Sequence, residues 1–309
     1  MKKSKIGLIL SLVSLISVGH AIPTIAQTVD TPETLKSDTE TIELNNYARH
    51  IVKVNNEKMS YIQLGNVYSN KSIVIIHGSA YSASAMIPYG KTYAKEGYNV
   101  VLVDLPGHYG DISKSRDKFS ELGDSVAALI NKLVKQNKLN NKSEIQGWSL
   151  GGSVALDIAS RHPKHIKSVG LIDSSSNWYG VNLGSVTEET RITALSTLVQ
   201  QLKSQSVTQD VTNTLIADIP NVIAPVEACN SDFSIDKVLN IDEQISQIKV
   251  PVYDFFASDD ILTTLDKQKD MLSQIKDGHL YVAEDYNHCA VLENPQLVHD
   301  SFVLMRNLP

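Results

Sequence analysis

The hexapeptide Gly147-Trp148-Ser149-Leu150-Gly151-Gly152 carries the strongest chemical signal in the chain. It closes a short apolar run at 143–146, of the kind that ends a buried strand. It opens a segment, 153–160, in which Val154, Ala155 and Ile158 recur at helical spacing. A G-x-S-x-G pattern between a strand and a helix reads as a nucleophile elbow. So sharp a turn puts Ser149 in a strained backbone conformation, and side chains in place of Gly147 and Gly151 would collide with the neighbouring strand and helix. The hydroxyl then stands clear of the sheet at the positive end of a helix. That arrangement suits nucleophilic attack on a carbonyl carbon.

A serine hydroxyl is a weak nucleophile at neutral pH. It needs a base within hydrogen-bond reach, and the base needs a third group to fix its tautomer. His288 is the best candidate base, in the polar loop Asp285-Tyr286-Asn287-His288 between an apolar strand run and the last helical run. His77 ends a strand beside Gly78 and suits a structural place near the site. His162 and His165 flank Pro163 and read as solvated. For the third group, Asp259 and Asp260 stand side by side after another apolar run, and only one of them can face a single histidine.

These residues must be carried by elements, and the apolar patterning supplies them. Runs at 48–54 and 59–64 flank Asn-rich turn residues and predict a hairpin. Continuous apolar runs at 73–76, 99–104, 166–173 and 252–257, with a shorter one at 280–283, predict strands buried on both faces. Helical patterns lie between them at 82–97, 115–139, 265–275 and 295–305. Alternating strands and helices of this kind imply a mostly parallel central sheet flanked by helices, an α/β fold. From residue 177 to 249 the rhythm breaks. Helices are predicted at 188–203, 211–219 and 235–248, with no buried strand. The core is therefore assigned to 47–176 and 250–309, with 177–249 as an inserted helical cap. In the cap, Ile192, Leu195, Leu198, Val199 and Leu202 form an apolar stripe.

The first residues read as a targeting segment. Lys2, Lys3 and Lys5 precede an apolar stretch at 6–18 that is short for a membrane span, and Thr24-Ile25-Ala26 offers small residues at the positions a signal peptidase reads. Cleavage is expected after Ala26, with Ala21 as the fallback site. Residues 1–26 are then a signal peptide and 27–46 a flexible leader. An exported protein, periplasmic or secreted, with no stable membrane anchor after cleavage is the expectation. Loss of three lysines and no acid takes the net charge from -6 to -9. The 309 residues are 42% hydrophobic and 20% charged, ample for one large core with an insertion. No basic stripe with interleaved aromatics suggests nucleic acid as a partner. No metal-binding motif or Gly-rich phosphate loop suggests a metal or cofactor. The two cysteines, Cys229 and Cys289, leave a disulfide open.

Taken together, the motifs resemble the α/β-hydrolase fold family over nearly all of the chain beyond the leader. The residues that carry the resemblance are His77-Gly78, Asp104-Leu105-Pro106-Gly107-His108, the elbow at 147–152, Ala257-Ser258-Asp259-Asp260 and Asn287-His288. Their order, Ser then Asp then His, is that family's order. The elbow resembles that of small carboxylesterases such as the pimeloyl methyl ester esterases. One departure is the stretch Tyr109-Gly110-Asp111-Ile112 before Ser113, where family members often run Pro-Gly-His-Gly-x-Ser. The resemblance implies His288 as base in the family's place. It implies an oxyanion hole from the backbone N–H groups of Ser79 and Leu150. Aligning Ala257 with the family's Gly-x-x-Asp turn puts Asp260 at the acid position, with Ile261 and Leu262 anchoring the loop and Asp259 turned to solvent. The expected catalytic set is Ser149, Asp260 and His288, acting on a small-molecule carboxylic ester. The same set would serve an amidase, a lactonase, a carbon–carbon bond hydrolase or an acyltransferase. A non-enzymatic ligand-binding module that kept the fold is the alternative of a different class.

Overall fold

The computed structural model describes residues 40–44, 47–109 and 113–307. The expected signal peptide and most of the expected leader lie outside them. A nine-stranded sheet runs through the protein in the order β1-β2-β3-β5-β4-β6-β7-β8-β9. The strands are β1 (Glu40–Leu44), β2 (Tyr47–Val54), β3 (Glu57–Gly65), β4 (Ser72–Ile76), β5 (Asn99–Val103), β6 (Ser143–Trp148), β7 (Ile166–Ile172), β8 (Val252–Ala257) and β9 (Gly278–Ala283). From β1 through β3 to β5 the pairs are antiparallel, and every other pair is parallel.

The predicted hairpin forms, with Asn55 and Asn56 both at positive φ (46° and 68°) in a two-residue loop between β2 and β3. Residues 40–44, read from sequence as part of the leader, instead pair with β2 as an edge strand.

The helices are α1 (Ile87–Lys95), α2 (Phe119–Lys135), α3 (Leu150–Arg161), α4 (Arg191–Gln201), α5 (Gln209–Val222), α6 (Val226–Asp236), α7 (Asp242–Ile245), α8 (Leu265–Ser273), α9 (Ala290–Glu293) and α10 (Pro295–Arg306). They cover both faces of the sheet, and the period of two along a strand sends alternate side chains to opposite layers. On β4, Val74 and Ile76 join the layer under α2, α3 and α8. Ile73 and Ile75 join the layer under α1 and α10. Burial on both faces explains why β4 and β5 read as unbroken apolar runs.

Between β7 and β8 the described chain is helical, from α4 to α7. Here the predicted and observed helices differ. Residues 235–248 do not form one helix: the chain leaves α6 at Asp236 and makes only the short α7. Leu239, Ile241, Ile245 and Ile248 are all buried nonetheless. Apolar spacing records burial and not backbone hydrogen bonding, so turns that bury the same residues imitate a helix. Conversely, α6 was not expected, because its buried face includes Asp232 and Asp236 beside Ala228, Cys229, Phe233 and Ile235. Helix α2 begins at Phe119 and not at 115. His165, expected in solvent, is buried, with Nδ1 2.9 Å from the Asn141 carbonyl oxygen.

Candidate active site

Ser149 sits at the junction of β6 and α3 with φ 53° and ψ -124°. Non-glycine residues rarely adopt positive φ, and where they do the surrounding packing must enforce it. The enforcement here is steric. A Cβ on Gly147 would lie 2.1 Å from the backbone of Gly151, and one on Gly151 would lie 2.4 Å from the His77 carbonyl oxygen. Strand and helix therefore approach more closely than any side chain allows. The Ser149 N–H donates to the Ile172 carbonyl (3.0 Å), and Ser174 Oγ donates to the Ser149 carbonyl (2.7 Å).

The three expected catalytic side chains converge from different strand ends. His288 Nε2 is 3.0 Å from Ser149 Oγ. His288 Nδ1 is 2.8 Å from Asp260 Oδ2. The other carboxylate oxygen, Asp260 Oδ1, accepts the Leu262 N–H (2.7 Å), which fixes its rotamer. With Asp260 accepting at Nδ1, that nitrogen carries the proton and Nε2 is left to accept from the serine. Trp148 Nε1 donates to the His288 carbonyl (2.8 Å), and Trp178 meets the imidazole edge to face at 6.0 Å. Asp259 turns to a different partner, accepting from Gln205 Nε2 at 2.8 Å. Of the two expected loop anchors, Leu262 packs against the core, whereas Ile261 is 67% exposed.

The two residues expected to supply N–H groups, Ser79 and Leu150, lie in the loop after β4 and directly after Ser149. Leu150 opens α3, so its N–H has no partner within the helix and lies at the positive end of the helix dipole. Ser79 lines the same small cavity as Ser149 and His288. His77 braces the loop that carries Ser79. Its Nδ1–H donates to the Gly78 carbonyl (2.8 Å) and its Nε2 accepts the Leu105 N–H (3.1 Å). Burial, aided by nearby His108, lowers its pKa well below the usual value, so the ring is neutral.

Above Ser149 the cavity holds only about 30 Å³, room for about one water. Leu183, Leu198 and Phe233 form a wall common to it and to a larger cavity of about 350 Å³. The larger one is also lined by Val186, Leu195 and Arg191. Part of the apolar stripe on α4 thus faces open space, while Leu195, Val199 and Leu202 are themselves buried.

Several buried titratable groups surround the triad. Burial and the neighbouring Asp260 raise Asp173 well above the ordinary carboxyl range. Cys229 and Cys289 are both free and buried. Burial pushes Cys229 up to about 12 and Cys289 well above its ordinary value, so both are inert thiols. Among the described residues no group of three His, Cys, Asp or Glu is placed to hold a metal ion, and no helix is long and apolar enough to cross a membrane.

A second polar cluster escaped the reading of the sequence. Asp232 Oδ2 on α6 accepts from the Ala80 N–H and lies against His108 Nε2, each at 2.8 Å. Asp236 Oδ2 accepts from Ser79 Oγ at 2.6 Å. The only signal in the sequence was two aspartates four residues apart on an apolar helical face. Burial, eased by the Ser79 hydrogen bond, carries Asp236 from 3.8 up to about 8. An acid with a raised folded-state pKa stabilises the fold fully below its unfolded value and loses that contribution as pH rises through the folded one. Stability is therefore expected to fall from about pH 4 to about pH 8 on this account, and Asp236→Asn should flatten the slope. Urea unfolding of both proteins at pH 5 and pH 8.5 measures it. An unchanged pH difference in the variant would show that Asp236 does not titrate in this window.

The family model for serine aminopeptidases, S33, matches residues 69–295, which span β4 to the start of α10. The chain belongs to this family. It is a hydrolase with the α/β-hydrolase fold. This S33-family hydrolase is 26% identical over 201 residues to the pimeloyl-[acyl-carrier protein] methyl ester esterase of Pseudoalteromonas atlantica, covering 60% of the chain and 75% of the relative. It is 30% identical over 124 residues to lipase 1 of Psychrobacter immobilis, covering 40% of the chain but only 37% of that lipase. Among solved structures, the enol-lactonase of Burkholderia xenovorans LB400 superposes with a TM-score of 0.68 at 20% identity, covering 82% of this chain and 99% of that one. At that identity the likeness is one of fold.

Proposed function

We propose that the protein is an exported serine hydrolase that cleaves a carboxylic ester through an acyl-enzyme on Ser149. The observation that carries this reading is the hydrogen-bonded chain from Asp260 through His288 to Ser149 Oγ at a strained elbow. His288 takes the serine proton as Oγ attacks the ester carbonyl. The N–H groups of Ser79 and Leu150 receive the oxyanion. The imidazolium, held by Asp260, returns the proton to the leaving alcohol. Water then repeats the cycle on the acyl-enzyme and frees the acid. The curated relatives named as an esterase and a lipase favour an ester substrate. The helical segment at 177–249 acts as the cap, and its cavity of about 350 Å³ takes the apolar part of the substrate.

A panel of p-nitrophenyl esters of increasing acyl length, run beside amides and lactones, tests the reading. Each methylene that enters the cavity is worth about 0.8 kcal/mol, so kcat/KM should rise about fourfold per carbon until the space is full. A flat response would remove the cavity from the substrate site. Turnover of amides alone, with no ester cleaved, would overturn the ester assignment. Export rests on the basic, apolar and small-residue order of residues 1–26. The released protein should begin at Gln27 on N-terminal sequencing, and an intact Met1 would refute cleavage.

A further inference from the structure

We propose that Asp232 and Asp236 are positioning residues for the oxyanion hole, reaching from the cap to hold Ser79 and Ala80 in place. The inference rests on the assignment of Ser149 and Ser79 above and extends it: the hole is complete only while α6 is seated on the core.

Ala80 has φ 65°, a left-handed conformation unfavourable for an alanine that must be held from outside. The holding groups come from the helical segment. The Ala80 N–H donates to Asp232 Oδ2 (2.8 Å) and the Ala80 carbonyl accepts the Ala224 N–H (2.8 Å). One residue earlier, Ser79 Oγ donates to Asp236 (2.6 Å). One residue later, Tyr81 forms an antiparallel bridge with Ile223, and the Ser82 N–H donates to Val222 (2.8 Å). The loop that offers the Ser79 N–H is therefore clasped on successive residues by α5, α6 and the turn between them. A peptide N–H points where its two flanking residues direct it. The Ser79 N–H lies in the Gly78–Ser79 peptide: His77 holds its carbonyl, and the contacts to Ser79 Oγ and the Ala80 N–H hold the residue on its other side.

His108 completes the clasp. It follows β5, is 2% exposed, and meets the carboxylate of Asp232, which is 1% exposed. Burial works against its charge, but the Asp232 carboxylate outweighs burial and raises the His108 pKa. One carboxylate thus ties two core loops, after β4 and after β5, to one cap helix. Removing Asp232 would leave the buried His108 Nε2 without its partner, a costly loss for a buried pair.

The test compares Asp232→Ala, Asp232→Asn and Ser79→Ala with the wild-type enzyme, whose ester turnover is the separate prediction of the proposed function. Asp232→Ala should lower kcat by about 10²-fold, the scale of a displaced or lost oxyanion donor, with KM within about threefold. Asp232→Asn keeps an oxygen for the Ala80 N–H and should recover most of the loss. Ser79→Ala keeps the backbone N–H, cuts only the contact with Asp236, and should cost about tenfold. The decisive readout is inhibition by butylboronic acid, whose tetrahedral adduct places an oxygen in the hole. Its affinity should weaken by the same factor as kcat in each variant. A purely structural contact would lower the melting temperature and leave that affinity unmoved. Folded Asp232→Ala or Ser79→Ala with kcat and boronate affinity within threefold of wild type would overturn the proposal. So would a loss of kcat with boronate affinity unchanged. If Asp232→Ala does not fold, Ser79→Ala alone decides the matter.

Discussion

Ser149→Ala is expected to lower kcat on an ester by on the order of 10⁴ or more while leaving the fold intact. The hydroxyl removed is the one 3.0 Å from His288 Nε2, and no other described hydroxyl makes a hydrogen bond to that nitrogen. The substitution keeps a Cβ, so the backbone at φ 53° bears the same steric load before and after. Stability should therefore change little, and the loss belongs to the chemical step. KM should stay near its wild-type value, since the walls formed by Leu198 and Phe233 are untouched. The purified variant is assayed on the best ester of the panel, with a thermal melt run beside it. Turnover within tenfold of wild type would refute Ser149 as the nucleophile.

Asp260→Asn carries the second large effect, also on the order of 10⁴ in kcat. An ionised carboxylate 2.8 Å from His288 Nδ1 can only accept a hydrogen bond, so Nδ1 keeps its proton. An amide can instead present N–H groups to that nitrogen, which turns the ring to the tautomer whose Nε2–H cannot take the serine proton. Asp259→Asn should cost less than about tenfold, because Asp259 meets Gln205 and Ser258 and not the imidazole. The two adjacent variants, measured on one ester, separate charge near the site from charge in the right place. Inactivity of Asp259→Asn with Asp260→Asn active would exchange the two roles.

Much of the site was legible because it is written in local sterics. The elbow needs Gly147 and Gly151 whatever surrounds it, and the doubly buried strands β4 and β5 must be apolar at every position. The choice between Asp259 and Asp260 was not local. Composition and periodicity treated them alike, and only the family turn pattern favoured Asp260. The tertiary structure distinguishes them through a contact with a residue 28 positions away. The edge strand β1 was missed for a related reason. An edge strand is held by its neighbour's backbone, and a short polar segment announces nothing of that partner.

The helical segment marks the boundary between the two kinds of information. Apolar spacing marked Ile241, Ile245 and Ile248 as one helix face, and they are buried, but Ile245 closes the short α7 while Ile241 and Ile248 lie outside it. Nothing in the sequence beyond their spacing singles out Asp232 and Asp236, although aspartate is a residue type seldom fully buried unless paired. Their partners, His108, Ser79 and Ala80, lie more than 120 residues earlier in the chain. The sequence by itself determined the elbow at Ser149 and the sheet that carries it, because backbone sterics and two-faced burial act within a few residues. The tertiary structure alone decided which aspartate faces His288 and what holds the loop of Ser79 and Ala80. A hydrogen bond depends on distance in space, and chain separation leaves no mark of that distance in residue type.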